Sequence, residues 1–264
     1  MRTETSALTA AFAAATDRAL VMPFLVAGYP TADATVEIAR AAADNGGDIF
    51  EIGIPFSDPI MDGPVIQGAT VEVLGHGQGV SDALGIVERI ASSTAKPVVA
   101  MTYYNLIFHR GVEPFARALA SAGAAGAIVP DLSVEDSDAW CTAARAAGLD
   151  TVFLAAQTSP DDRLDKIAGA SSGFVYAASL LGVTGVRESL NDAARALVGR
   201  IKRRTQTPVA VGIGVSTPQH AREVSRFADG VIVGSAIVKR VADARDPARE
   251  VGSFVAELRE ACAR

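Results

Sequence analysis

Histidine, cysteine and tryptophan are scarce in this 264-residue chain, at three, two and one residues. Cys141 and Cys262 lie far apart, neither belongs to a CxxC, and His76, His109 and His220 do not cluster with them. No metal site and no disulfide framework is therefore expected. A basic excess is also missing: 24 Lys and Arg against 30 Asp and Glu leave a formal charge of -6. That balance argues against nucleic acid or an acidic membrane surface as the main partner. No stretch approaches the ~20 uncharged apolar residues of a membrane helix. The first residues carry charges and lack the apolar run of a signal peptide. A cytoplasmic protein is expected, with no membrane partner.

Apolar residues make up 49% of the chain, aromatics only 6%, and glycine contributes 24 residues. This composition suits small side chains packed between helices and a parallel sheet. Eight short apolar runs are strand candidates: 20–27, 48–53, 97–102, 126–129, 151–155, 173–177, 208–212 and 230–233. Most are continuous rather than alternating, as in strands buried on both faces. Between them lie helical patterns with start signals. Thr31 caps 34–43, Ser81 and Asp82 open 83–91, and Ser133 opens a helix to Ala147 that Gly148 ends. Ser159-Pro160 and Thr217-Pro218 begin two more, and an extra helix at 6–17 precedes the first strand. Strand and helix alternating eight times predict one α/β domain over residues 1–264. Its expected form is a (β/α)8 TIM barrel with an extra N-terminal helix, a doubly wound sheet being the alternative.

In a barrel, the loops after the strands build the site. Glu51 interrupts the second apolar run, which points its carboxylate into the barrel mouth, where desolvation raises a carboxyl pKa. The alternative is a Glu paired with a cation that closes the barrel top. Asp62 follows in a loop stiffened by Pro55, Pro59 and Pro64. A local Asx-turn is its other reading, and spacing does not decide between Asp58 and Asp62 as the group that reaches substrate. Gly182 to Gly185 follow the sixth strand, and Gly212-Ile213-Gly214 and Gly234-Ser235 follow the seventh and eighth. Glycines there let backbone N–H groups approach an anion, and Ser235 opens a helix, so a phosphorylated small molecule is expected. No lysine ends a strand candidate, which argues against a Schiff-base aldolase. Acid–base chemistry by carboxylates remains.

The segment EIGIPFSDPIMDGPVIQ from Glu51 to Gln67 closely resembles the signature of tryptophan synthase alpha subunits. Pro23 to Pro30, Tyr103 with Asn105, Pro130-Asp131, Gly182-Val183-Thr184-Gly185, Gly212-Ile213-Gly214 and Gly234-Ser235 follow in the family's order. The resemblance implies a lyase of tryptophan biosynthesis that cleaves indole-3-glycerol phosphate to indole and glyceraldehyde 3-phosphate. Glu51 and Asp62 would be the catalytic carboxylates. Phe24, Tyr103 and Tyr176 would line the indole and glycerol pocket. Gly185, Gly212, Ile213, Gly214, Gly234 and Ser235 would surround the phosphate, with Thr184 on a loop that closes over substrate. No metal or cofactor is implied in this chain; pyridoxal phosphate would reside in a beta subunit that receives the indole. The expected assembly is an α2β2 heterotetramer with the Phe56 to Met61 loop at the contact. Leu180, Leu181, Met61 and Val26 depart from residue types common in the family. Three other readings are a stand-alone indole-releasing lyase, a phosphate-binding barrel isomerase and a non-catalytic regulatory subunit.

Overall fold

The computed structural model describes residues 6–178, 188–212 and 214–263. Nine parallel strand segments follow one another around a ring. They are β1 (Leu20–Val26), β2 (Phe50–Gly53), β3 (Val98–Met101), β4 (Gly126–Ile128), β5 (Asp150–Val152), β6 (Leu154–Ala156), β7 (Val175–Ala178), β8 (Val209–Gly212) and β9 (Gly230–Val233). The expected fifth strand is split at Phe153. Its lower half, β5, pairs with β4, and its upper half, β6, pairs with β7. One bent stave therefore closes the ring, and the architecture is the expected (β/α)8 barrel. At the bend, hydroxyls supplement the backbone bonds: Ser172 Oγ accepts from Thr151 N–H at 3.0 Å and Ser171 Oγ from Phe153 N–H at 3.3 Å, beside Ser172 N–H to Thr151 O at 2.9 Å and Tyr176 N–H to Phe153 O at 3.0 Å.

Along each stave, side chains alternate between the barrel interior and the layer beneath the helices. Leu20 and Met22 point inward while Val21 and Leu25 pack outward. Just before β2, Ile49 points inward, and on it Phe50 and Ile52 point outward. The same alternation carries Glu51 into the interior.

The helices α2 (Ala32–Asp44), α4 (Val80–Thr94), α6 (Val112–Ser121), α7 (Asp138–Ala146), α8 (Asp161–Ala170), α9 (Glu188–Lys202) and α10 (Pro218–Ser225) return the chain between strands. Beyond these, α3 (Pro64–Gly75) and α5 (Tyr104–Arg110) sit in the loops after β2 and β3, and α11 (Ser235–Asp243) and α12 (Pro247–Ala261) follow β9. Thr31 and Thr217 cap their helices as expected, each accepting an N–H three residues on. Two starts differ. α4 begins earlier than expected, because Asp82 reaches back to accept Gly79 N–H at 2.8 Å. After Ser133 a short 3₁₀ turn over Val134–Asp136 precedes α7, since the Ser133 hydroxyl donates to Asp136 instead of capping a continuous helix.

The extra N-terminal helix, α1 (Ala7–Ala14), lies across the N-terminal end of the barrel. Its fully buried Leu8 packs against Gly126 and Gly173, where a Cβ would collide with Leu8 or with Asp150. Beside it Arg18 donates to Asp48 through both terminal nitrogens, and Asp48 also accepts Val21 N–H at 2.9 Å. Neither cysteine is in a disulfide. No helix among the described residues is long and apolar enough to cross a membrane.

Candidate active site

Glu51 is 2% exposed and stands at the C-terminal mouth of the barrel. Its Oε2 has no hydrogen-bond partner among the described residues. Burial, and secondarily the charge of Asp62, push its pKa up from 4.5 to about 8. A carboxyl held in this way keeps its proton near neutrality and can give it up and take it back. The cationic partner considered in the sequence is absent among the described residues.

Asp62 faces Glu51 from the loop between β2 and α3. Its backbone carbonyl accepts Gln67 Nε2 at 2.7 Å, and its Oδ2 accepts the Tyr103 hydroxyl at 3.1 Å. Burial raises the Asp62 pKa, and the hydrogen bond from Tyr103 opposes that rise. Asp58, by contrast, lies on the exposed outer part of the loop and accepts from its neighbour Ser57 at 2.5 Å. Of the two aspartates that spacing leaves open, Asp62 lines the cavity described next and Asp58 does not.

Both acids line a cavity of about 210 Å³. Phe24, Met101, Ile128, Leu154 and Ile232 form its apolar walls, with Tyr176 beside them. Tyr176 is buried, and its phenol pKa is driven up by burial first and by the charges of Glu51 and Asp62 second. At the far side stand Gly214, Val215, Ser216, Gly234, Ser235 and Ala236. Gly234 caps α11, so the first N–H groups of that helix open toward the cavity. Gly214 has φ +98°, a conformation that side chains rarely adopt. No lysine or arginine lines the cavity among the described residues. An anion there would be met by N–H groups and the positive end of a helix.

Of the expected site residues, Glu51, Asp62, Phe24, Tyr176, Gly214, Gly234 and Ser235 meet in this one cavity. Tyr103 stands behind Asp62, its hydroxyl on the carboxylate. Gly212 makes room for Tyr176, whose hydroxyl lies 1.9 Å from where a Gly212 Cβ would be. Thr184, Gly185 and Ile213, with the segment from Gly182 that is expected to close over substrate, lie outside the described residues. Sequence reasoning missed the apolar walls Met101, Ile128, Leu154 and Ile232. Their signal was the inward parity of each strand, which is invisible where both faces are apolar. It also missed Ser216, which hydrogen-bonds His220 Nδ1 at 3.3 Å.

Residues 11–263 match the family model described as tryptophan synthase alpha chain. The tryptophan synthase alpha chain of Streptomyces coelicolor is 49% identical over 91% of this chain and 89% of its own length. That of Nocardia farcinica is 44% identical, over 94% and 93%. Among solved structures, Mycobacterium tuberculosis tryptophan synthase superposes with a TM-score of 0.91 at 41% identity, covering 99% of this chain and all of that one. A chain of the Pyrococcus furiosus tryptophan synthase α2β2 complex superposes with a TM-score of 0.85 at 39% identity, covering 92% and 98%. The family model and these relatives match nearly end to end, and the chain belongs to the tryptophan synthase alpha chain family.

Proposed function

We propose that this chain, acting as one barrel unit, cleaves indole-3-glycerol phosphate into indole and glyceraldehyde 3-phosphate. The observation that carries the reading is the pair Glu51 and Asp62 across one apolar cavity that ends at the α11 N-terminus. The indole ring occupies the apolar walls, and the phosphate meets the N–H groups near Gly214, Gly234 and Ser235.

Glu51, protonated near neutrality, gives its proton to indole C3, and positive charge develops on the ring nitrogen. Asp62, as carboxylate, accepts the indole N–H and stabilises that charge. The bond between C3 and the glycerol carbon then breaks, and its electrons return to the ring. The hydroxyl beside the broken bond becomes the aldehyde carbonyl and hands its proton to Glu51, which ends as it began. Each positioned proton transfer is worth about 10²–10⁴ in rate. Both are made by Glu51 while Asp62 stabilises charge, so the reaction in this chain needs no cofactor.

The chain works docked on a β subunit that holds pyridoxal phosphate and consumes the indole. An exposed apolar patch beside the cavity suits that contact: Ile60 is 75% exposed, Val71 67% and Phe108 69%. Ile60 sits on the Phe56 to Met61 loop and shares one surface groove with Val71 of α3, while Phe108 is on α5. Indole release by the purified chain, with and without a tryptophan synthase β subunit, tests the reading. Slow release that rises strongly with the partner is expected. No indole under either condition would overturn it.

A further inference from the structure

The aspartate that the proposed reaction depends on sits in a loop, and loops do not by themselves hold a carboxylate still. Tyr103 supplies the constraint. Its hydroxyl accepts Met61 N–H at 3.1 Å and lies 3.1 Å from Asp62 Oδ2. A phenol has one proton. With Met61 N–H arriving at the oxygen as donor, that proton is directed to Asp62.

The tyrosine is itself fixed on three sides. It is the N-cap of α5, and the next residue's N–H is held by both oxygens of Asp131, at 2.9 and 3.1 Å. Phe56, in the same loop as Asp62, stacks on its ring with centroids 5.2 Å apart. The ring is buried but does not line the cavity.

We propose that Tyr103 is a positioning residue, which locks the loop through Met61 N–H and aims the Asp62 carboxylate at the ring nitrogen of the substrate. The proposal rests on the acid–base reading of Asp62 above. It differs from a substrate-contact role for Tyr103, in which the phenol would touch the ligand directly.

The test compares four proteins for indole release across pH: the unmodified chain, Tyr103→Phe, Asp62→Ala and the double variant, each with its β partner. Phenylalanine keeps the ring and the Phe56 stack, so the fold is retained. For Tyr103→Phe, kcat is expected to fall on the order of 10-fold, as for loss of one charge-assisted hydrogen bond. KM should change by no more than about twofold. The acid limb of the rate profile should move to higher pH, because the carboxylate loses the bond that favoured its charged form. In the Asp62→Ala background the residual rate should be the same with Tyr or Phe at this position.

An unmoved acid limb, a rise in KM alone, or an equal loss in the Asp62→Ala background would overturn the positioning role while leaving the acid–base reading standing. Full release by Asp62→Ala alone would overturn both.

Discussion

Replacing Glu51 by glutamine should change the way stability depends on pH, apart from any effect on turnover. The carboxyl is buried, and its pKa is raised from 4.5 to about 8. At pH values below 4.5 the folded and unfolded chains both hold this proton, and above about 8 neither does. Between those limits the folded chain alone holds it. A raised carboxyl therefore supports folding fully at low pH and progressively less as pH rises. Each pH unit inside the window is worth about 1.4 kcal/mol, which makes the whole window worth about 5 kcal/mol. Glutamine has nearly the same shape and no proton to lose. The stability of Glu51→Gln minus that of the unmodified chain should rise by about 4 kcal/mol between pH 5 and pH 8, then level off. Urea denaturation at several pH values measures this without changing ionic strength. Parallel curves from about pH 5 to about pH 9 would refute the reasoning, because they would mean that Glu51 keeps its water or finds a cation. In an Asp62→Asn background the rise should be smaller but still present, since burial is the larger cause and the Asp62 charge the lesser one.

The same substitution should abolish indole release while leaving affinity for glycerol 3-phosphate nearly intact, as a burst-free single-turnover assay and a binding isotherm will show. In the unmodified enzyme kcat/KM should decline as pH rises through about 8, where the acid that protonates C3 is lost; a flat alkaline profile would count against Glu51 as that acid. Gly214→Val should weaken glycerol 3-phosphate binding at least about 10-fold, because its φ of +98° strains any side chain and the residue lines the cavity where the phosphate is proposed to sit; calorimetric titration checks it. Arg18→Ala should cost about 3–5 kcal/mol by leaving Asp48 half-partnered in a buried position, with the specific activity of the folded fraction unchanged.

Much of this molecule is legible in the sequence, and the parts that are not have a common cause. The staves were visible as apolar runs, and their number and order give the barrel. Which residue of each run points inward was not visible, because the interior and the helix layer are both apolar. Only where a polar residue interrupts a run does parity show, and Glu51 is that place. The bend at Phe153 left no mark either, since its hydroxyl partners Ser171 and Ser172 belong to a different stretch of chain and look like an ordinary turn. The choice of Asp62 over Asp58 depends on a tyrosine some forty residues away, whose contact with the loop is purely tertiary. The role of Gly212 was likewise masked: glycine after a strand suggests an anion site, whereas here it clears space for the Tyr176 ring.

The bent stave at Phe153 bears on how the ring breathes. On either side of β2 the backbone ladder is continuous, with Phe24 and Val99 registered against Glu51. At the bend, each half-strand has ladder pairing to one neighbour, and two backbone bonds, Ser172 N–H to Thr151 O at 2.9 Å and Tyr176 N–H to Phe153 O at 3.0 Å, join two serine hydroxyls in holding the other side. Local opening follows the least reinforced backbone. The barrel is thus a split collar whose seam lies away from the stave that carries the acid, so Glu51 is held between two unbroken ladders while the ring's change of pairing falls elsewhere.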